Sequence, residues 1–253
     1  MIRFEQVVKT LGGKTVLDGL SFEVRTGEIF VIVGPSGVGK SVTLKHVVRL
    51  LTPDAGHVFV DGEDVSRADG ATLEQVRRRF GYLFQGGALL AWLNVFENIA
   101  LPLRERLKLE EREIIGRVDE SLRVVGLEGE GSKIPAELSG GMRKRAGLAR
   151  AIVMKPEIIL YDEPTSGLDP VSARTIDALI ARTNRELGVT SVVVTHDLHS
   201  ALTIGTRIAL LHDGRFVELS EPDRFIESSH PNVMGFLESQ FITKRGSWER
   251  KKQ

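Results

Sequence analysis

The sequence predicts an α/β domain that is interrupted by a mostly helical block. Short apolar runs rich in β-branched residues alternate with segments of helical periodicity, and this alternation is typical of parallel β-α units. Between about residues 94 and 155 the periodicity is mostly helical. We therefore expect a parallel sheet flanked by helices, with a helical subdomain inserted into the chain that builds it.

The first part of the chain predicts two strands, a buried strand and a helix. Residues 3–8 and 16–24 are extended segments, and the Gly-Gly pair between them indicates a turn. Residues 29–33 form a continuous apolar run, as a strand covered on both faces would. Residues 40–51 show helical periodicity, and Pro53 follows the expected end of that helix.

The remaining elements follow from the same two periodicities. In the helical block, Ile114, Ile115, Val118, Leu122 and Val125 recur at helical spacing. A further helix is expected to begin at Ser139 and to run to about residue 155. Additional strands are predicted at residues 58–60, 80–85, 158–161, 192–195 and 208–211.

The composition excludes several classes of function. The 253 residues include 34 basic and 34 acidic side chains, so a mainly electrostatic nucleic-acid binder is not expected. The absence of cysteine excludes a disulfide framework, a thiolate metal site and a thiol nucleophile. No apolar run approaches the ~18 to 20 residues that span a bilayer. If the protein functions at a membrane, it is therefore expected to act from one side without crossing it.

A glycine-rich loop after the third strand predicts a phosphate-binding site. Its sequence fits G-x-x-x-x-G-K-[ST], with a strand before it and a helix after it. Lys40 would reach the β- and γ-phosphates of a nucleotide and Ser41 would bind Mg²⁺. The alternative is a glycine-rich turn that binds nothing. The residues expected to contact nucleotide here are Gly34, Pro35, Ser36, Gly37, Val38, Gly39, Lys40, Ser41 and Val42.

Polar residues at the ends of other strands complete a candidate hydrolytic site. Asp162 would hold Mg²⁺, and Glu163 would act as the base for a water in line with the γ-phosphate. His196 could hydrogen-bond the γ-phosphate or orient the base, although a lone histidine is more often structural. Gln85 could contact Mg²⁺ through its side-chain oxygen, although spacing alone favours an ordinary loop residue.

A second glycine-bearing helix start lies about 100 residues beyond the first. Ser139 is a good N-cap, and Gly140 and Gly141 expose backbone N–H groups. A simple helix cap is the alternative. Because one ATP rarely needs two separate phosphate cradles from one chain, we expect a head-to-tail dimer in which each chain supplies the second cradle for its neighbour.

These motifs, in this order, resemble the ATP-binding subunits of ABC transporters from about residue 3 to residue 225. The resemblance assigns Gln85 to the Q-loop, residues 138–142 to the signature, residues 166–169 to the D-loop and His196 to the H-loop. It implies ATP and Mg²⁺ as cofactors, Glu163 as the catalytic base and Asp169 as a contact across the dimer. It also implies a P-loop NTPase fold, with a RecA-like core, an N-terminal antiparallel β-subdomain and an inserted α-helical subdomain.

The same resemblance divides the chain into regions. It predicts an ABC ATPase domain over residues 1–225, with its core at 1–86 and 156–225 and the helical subdomain at about 87–155. Residues 226–253 would form a C-terminal helical extension and a basic tail. Two positions depart from the family pattern. Leu11 stands where an aromatic residue usually stacks on adenine, and Met142 stands where the signature usually has glutamine.

A narrower resemblance concerns residues 83–90, 94–105 and 138–152, which are similar to the MlaF type of ATPase in Mla lipid-trafficking systems. It implies phospholipid transport between inner and outer membranes through an MlaE-type permease. Expected partners are a second copy of the chain, that permease, an Mce lipid-binding protein and a STAS-domain protein. The expected location is the cytoplasmic side of the inner membrane, with membrane contact through the permease.

Three other functions remain open at this stage. An ABC importer ATPase for amino acids or other small polar solutes would share every catalytic motif. A soluble ABC ATPase acting on DNA or ribosomes is disfavoured by the single cassette and the zero net charge. A purely regulatory nucleotide binder is disfavoured by the presence of both Glu163 and His196.

The end of the chain predicts one more helix. Val233, Phe236, Leu237 and Phe241 form one apolar face after Pro231. This helix could pack on its own domain or reach a neighbouring protomer. The polar, basic residues 244–253 are expected to be mobile.

Overall fold

Two β-sheets and a group of helices make up residues 1–242, the part of the chain that the computed structural model describes. The predicted basic tail, residues 244–253, lies outside these residues. The strands are β1 (Ile2–Leu11), β2 (Lys14–Val24), β3 (Ile29–Val33), β4 (Ala55–Val60), β5 (Glu63–Asp64), β6 (Phe80–Leu83), β7 (Ile158–Asp162), β8 (Thr190–Thr195), β9 (Arg207–His212) and β10 (Arg215–Ser220). The helices are α1 (Lys40–Val47), α2 (Gly70–Arg78), α3 (Val95–Arg106), α4 (Glu111–Val124), α5 (Gly140–Ile152), α6 (Pro170–Leu187), α7 (Leu198–Ile204), α8 (Pro222–Glu227) and α9 (Pro231–Ser239).

The larger sheet brings the carboxyl ends of four strands to one edge. Its strand order is β10-β9-β3-β8-β7-β6, and all neighbours are parallel except β10, which runs antiparallel to β9. Val33 pairs with Thr195, and Asp162 pairs with Val194. The chain segments that follow β3, β6, β7 and β8 therefore leave the sheet side by side, where a parallel sheet usually places its site.

The smaller sheet is antiparallel, with the order β2-β1-β4-β5. It shares a hydrophobic core with α1 and one face of the larger sheet. Phe22 stacks on Phe4 and on Phe30, with ring centroids 4.5 and 5.4 Å apart. Burial of these aromatic rings holds the two sheets together and fixes the N-terminal strands beside the loop that precedes α1. The predicted α/β architecture with an antiparallel N-terminal sheet is confirmed.

Helices α3, α4 and α5 form the inserted helical block, and their buried faces are continuous with the other core of the protein. Ile114, Val118 and Leu122 are buried, as their spacing predicts, whereas Ile115 is 44% exposed. The buried Asn98 of α3 binds the main chain of Leu90 at both its N–H and its carbonyl. This amide therefore fixes the segment that precedes the block.

Two helices end earlier than their periodicity predicts. Helix α1 stops at Val47 rather than at residue 51, because Arg49 has a left-handed backbone with φ of 50°. Helix α5 stops at Ile152 rather than near residue 155, where Lys155 has φ of 53°. A left-handed residue cannot continue a right-handed helix, and apolar spacing gives no signal for it.

The C-terminal helix packs on its own domain. Val233 and Leu237 of α9 are buried in the core, but Phe241 follows the end of the helix and is 89% exposed, so it is not part of that face. The boundary predicted at residue 225 falls inside α8, whose Phe225 is also buried. Among residues 1–242, no helix is both long and apolar enough to cross a bilayer.

Candidate active site

The loop between β3 and α1 has a backbone that only glycine adopts easily. Gly34 has φ of 153°, and a Cβ there would lie 2.6 Å from the Leu211 carbonyl oxygen. Gly39 has φ of 114°, and a Cβ there would lie 2.7 Å from Val16. Gly39 is also the N-cap of α1 and provides no side-chain cap for the first N–H groups. The helix therefore begins with free donors and the positive end of its dipole, which suits an anion.

Lys40 is a buried ammonium group at the start of α1. Its Nζ donates to the carbonyls of Gly34 and Pro35, at 2.8 and 3.0 Å, and lies 3.3 Å from Glu163 Oε1. Its side chain is only 5% exposed. Burial of an ammonium group is costly unless acceptors surround it, and these three oxygens meet that need.

Ser41 and Asp162 lie side by side, as the predicted Mg²⁺ site requires. The Ser41 hydroxyl donates to Asp162 Oδ1 at 2.6 Å, and the Tyr82 hydroxyl donates to Oδ2 at 3.4 Å. Burial and the Asp162 carboxylate raise the pKa of Tyr82, so this phenol keeps its proton.

This donor set fits Mg²⁺ bound together with a nucleotide. Within residues 1–242 there is no group of three or more His, Asp or Glu side chains placed to hold a metal ion. Mg²⁺ usually takes one or two carboxylates and fills its other positions with water and phosphate oxygens. One hydroxyl, one carboxylate and the nearby Gln85 therefore match it.

Glu163 lies where β7 ends, in a left-handed backbone with φ of 48°. Its N–H donates to the Val194 carbonyl, which ties it to β8. The two carboxylate oxygens point in different directions. Oε1 faces Lys40 and Oε2 lies 2.7 Å from His196 Nδ1. The structure thus brings all three predicted catalytic residues into direct contact.

A cleft of about 300 Å³ lies over these residues. Leu11, Val16, Gln85 and Glu163 are among the residues that line it. Leu11 therefore lies where the sequence predicts a contact with the nucleotide base, without the aromatic ring found in the family. The predicted residues that line the cleft are Ser36, Gly37, Gly39, Lys40, Ser41, Val42, Gln85 and Glu163.

The second glycine-bearing helix start does not line this cleft. The Ser139 hydroxyl accepts from the N–H of Met142 at 3.2 Å and so caps α5. A Cβ on Gly140 would lie 3.3 Å from Leu168, and a Cβ on Gly141 would lie 3.6 Å from Ser172. The start of α5 is therefore packed beside the start of α6 and away from the chain's own Lys40 cleft.

Asp169 caps α6. One of its oxygens accepts from the N–H groups of Val171 and Ser172, both at 3.0 Å. Hydrogen bonds from Ser172 hold the pKa of Asp169 below its usual value.

Sequence reasoning missed a buried cation behind Glu163. Lys144 of α5 is 5% exposed, and its Nζ donates to the main-chain carbonyls of Gln85 and Glu163. Burial lowers the pKa of Lys144 to about 8, so it stays protonated at neutral pH. In the sequence, Lys144 lies among other polar residues of α5, and no motif indicates that its side chain is buried.

A second buried network lies under the loop of His196. The Ser200 hydroxyl lies 2.9 Å from Oδ2 of both Asp177 and Asp197 and can donate its one proton to either, and Arg174 pairs with both carboxylates. Burial raises the pKa of Asp177 to about 6. These contacts join α6, which begins at Asp169, to α7, which follows His196.

Comparison with known proteins assigns this arrangement to a family. The family model described as ABC transporter matches residues 17–166. The probable ribonucleotide transport ATP-binding protein mkl of Mycobacterium leprae is 40% identical over 250 residues, covering 99% of this chain and 72% of the relative. The intermembrane phospholipid transport system ATP-binding protein MlaF of Haemophilus influenzae is 38% identical, covering 95% and 91%. The methionine import ATP-binding protein MetN of Xylella fastidiosa is 40% identical, covering 94% and 72%.

Solved structures agree with this assignment. The dimeric structure of a post-hydrolysis state of an ATP-binding cassette, bound to ADP and Pi, has a TM-score of 0.80 and 34% identity. The match covers 88% of this chain and 99% of that one. The chain therefore belongs to the ABC transporter family, as an ATP-binding and ATP-hydrolysing subunit similar to MlaF.

Proposed function

We propose that the chain energises phospholipid transport between inner and outer membranes through an MlaE-type permease. The observation that carries this proposal is the 38% identity to MlaF, which extends over most of both chains. The MlaF of Escherichia coli shows the same identity over 94% of this chain and 88% of its own length. The segments on which the resemblance to MlaF was based, residues 83–90, 94–105 and 138–152, also lie around the part of the molecule that would face a permease.

That permease would dock beside Gln85. A groove of about 360 Å³ lies there, lined by residues of β6, α3 and α5, among them Arg150, and by Phe84 and Ala88 of the segment that follows β6. Trp92, between Ala88 and α3, is 76% exposed, whereas Leu89 and Phe96 pack partly against the core. An exposed tryptophan in the segment that joins the groove-lining Ala88 to α3 is typical of an interaction surface. Within residues 89–96 we therefore assign Trp92 to docking, and Leu89 and Phe96 to the core.

In the proposed reaction, Glu163 is the general base. Its carboxylate takes a proton from water as the water oxygen attacks the γ-phosphorus and the bond to the β-phosphate oxygen breaks. Lys40 now contacts Glu163 Oε1, so the arrival of a phosphate at Lys40 would free that oxygen for the water. His196 holds the other oxygen and orients the carboxylate.

Mg²⁺, when bound, would offset negative charge on the transferred phosphate. Ser41, Asp162 and Gln85 would hold it. The backbone N–H groups at the start of α1 would bind the β- and γ-phosphates, and Lys40 would offset charge that develops during transfer.

Two chains would complete the site. In a head-to-tail pair, Ser139, Gly140 and Gly141 of one chain would bind the γ-phosphate held by the other, and Asp169 would make a contact across the pair. This arrangement accounts for the position of α5, whose N-terminus does not line its own chain's cleft. We also propose an Mce protein and a STAS-domain protein as further partners, and a position on the cytoplasmic side of the inner membrane.

The second candidate function is import of a small polar solute. The identity to MetN favours it, because MetN is named for methionine import and is 40% identical to this chain. The two functions share their catalytic residues and differ in the permease. The experiment therefore identifies the permease.

The test is a co-purification from the native cell. Tagged Glu163→Gln should hold two chains around ATP, so membranes are extracted in mild detergent with ATP and their proteins and lipids are identified by mass spectrometry. The matched control is Glu227→Gln, at an exposed position outside the site. An MlaE-type permease with an Mce protein and bound phospholipid would support the proposal. A solute permease without lipid partners would replace it with the second candidate.

A further inference from the structure

Glu163 is held by its main chain as well as by its side chain. Its carbonyl oxygen accepts from Lys144 Nζ at 2.9 Å and from the N–H and hydroxyl of Ser166 at 3.2 and 3.0 Å. The backbone at Glu163 is left-handed, a conformation that is unfavourable for a residue with a side chain. Such a conformation persists when the surroundings fix it, and these donors do so.

Lys144 joins this carbonyl to a second one. The same Nζ donates to the main-chain carbonyl of Gln85, in the segment that follows β6. Among residues 1–242, no carboxylate lies within ion-pair distance of Lys144, so its contacts are to main-chain oxygens alone. A buried ammonium group used in this way connects two backbones directly and contacts no reacting atom.

The packing of α5 leaves little freedom around this connection. A Cβ on Gly147, one helical turn beyond Lys144, would lie 2.9 Å from Leu83 and 3.0 Å from the Gly87 carbonyl. Arg150 of the same helix donates to the carbonyls of Gly87 and Ala88. The segment with Gln85 is thus bound along one face of α5, and Lys144 is the residue of that face that also reaches Glu163.

We infer that Lys144 is a positioning residue for hydrolysis, which fixes the backbone of Glu163 and couples it to the segment that carries Gln85. This inference rests on the base role proposed for Glu163. Loss of the ammonium group would leave both carbonyls without one donor and would let the base move. A shift of about 1 Å at a catalytic group lowers a rate by up to ~10²-fold.

The test is a double-mutant cycle with Lys144→Met and Glu163→Gln in the full-length chain. Methionine keeps the length and flexibility of lysine but donates no hydrogen bond. Lys144→Met should lower kcat for phosphate release from radiolabelled ATP by ~10- to 100-fold and leave the ATP Kd within about two-fold. In the Glu163→Gln background it should change the residual rate by less than about two-fold, since the base it positions is absent.

The control is Arg145→Met. Arg145 lies on the same helix and also donates to two main-chain carbonyls, those of Val125 and Gly126, but these are not in the active site. It should leave kcat near that of the unmodified chain. Thermal unfolding of each variant checks that it is folded, and Lys144→Leu, which also donates no hydrogen bond, replaces Lys144→Met if the latter is not.

The outcomes separate the two claims. Equal loss from Lys144→Met in both backgrounds, or no loss in either, would overturn the inference and leave Glu163 as the base. Near-normal turnover of Glu163→Gln would instead remove the base role on which the inference rests.

Discussion

The N-termini of α1 and α5 are two glycine-bearing helix starts with different surroundings. At α1, Gly39 leaves the first N–H groups without a side-chain cap, and Lys40 and Ser41 connect that end to Glu163 and Asp162. At α5, the Ser139 hydroxyl caps the helix, and the nearest functional neighbour is the start of α6. The N-terminus of α1 therefore lies among the residues of the candidate active site, whereas the N-terminus of α5 lies outside the cleft of its own chain.

This difference teaches that a single chain brings most of the proposed hydrolytic site together but leaves the start of α5 outside it. At α1, the proposed base Glu163 contacts Lys40 and His196, and Ser41 contacts Asp162 at the proposed metal position. The start of α5 has backbone donors and no catalytic group. In the proposed pair, these donors would bind a phosphate that the other chain presents.

If the base belongs to the α1 centre, Glu163→Gln should have the largest effect of the substitutions considered on the rate of ATP hydrolysis. Glutamine keeps the shape of the side chain but cannot take a proton from water. Hydrolysis should fall by ~10² to 10⁴, the usual size of a general-base contribution. ATP binding should persist, because Lys40 and the loop backbone remain.

Phosphate release and ATP Kd measured side by side check this expectation. Glu227→Gln is the control, because Glu227 is exposed and lies outside the site. Turnover close to that of the unmodified chain would place the base elsewhere.

The second prediction concerns the affinity for ATP at the α1 centre, and its expected effect is smaller. Leu11 is 39% exposed and lines the cleft. Leu11→Tyr would supply a ring for the adenine to stack on, and base–aromatic stacking contributes about 1 to 3 kcal/mol. We expect the ATP Kd to fall by about 5-fold or more.

Equilibrium binding of a fluorescent ATP analogue measures this change. Leu50→Tyr is a suitable control, since Leu50 is an exposed leucine beyond the end of α1. An unchanged ATP Kd would show that residue 11 does not face the base.

The third prediction concerns the stability of the fold on the α6 side, away from the reacting groups. Burial raises the pKa of Asp177 to about 6 from its ordinary 3.8, so the folded state favours the protonated acid. This contribution to stability is fully present below pH 3.8 and is lost as the pH rises through 6. The loss is at most about 3 kcal/mol, and less where Arg174 offsets the charge.

Urea unfolding at pH 4.5 and pH 7.5 tests this expectation. The unmodified chain should lose more free energy of unfolding between these pH values than Asp177→Asn does. Asp119→Asn, at an exposed position of α4, should behave like the unmodified chain. Parallel pH dependence for the unmodified chain and Asp177→Asn would contradict the assignment.

The sequence predicted the α1 centre well because its chemistry is local. A strand, a glycine loop and Lys40-Ser41 are adjacent in the chain, and parallel pairing places the ends of β7 and β8 beside them. The contacts of Lys40 with Glu163 and of Glu163 with His196 then follow from the register of the sheet. The ends of α1 and α5 were predicted beyond the residues where the helices stop. The left-handed backbone of Arg49 and Lys155 cannot be predicted from the spacing of apolar residues.

Lys144 and Tyr82 could not be predicted in the same way. Both contact site residues that are distant in the chain, and each depends on how α5 or β6 packs against β7. The short helix α2 also shows no apolar periodicity from which it could be predicted, because only Val76 of its nine residues is buried. Tertiary packing determines these features, and one sequence does not show it.

The central claim, that each site needs two chains, is tested most directly by mixing two inactive variants. Ser139→Arg should block hydrolysis while ATP binding by the same chain persists, and Glu163→Gln should be slow on its own. In a mixed pair, one site has an unmodified Glu163 from one chain and an unmodified Ser139 from the other. With equal amounts and random pairing, about a quarter of all sites are intact, so the mixture should recover about a quarter of the unmodified rate. A Ser139→Arg chain that hydrolyses ATP at the normal rate, or a mixture that only averages its two components, would contradict the claim.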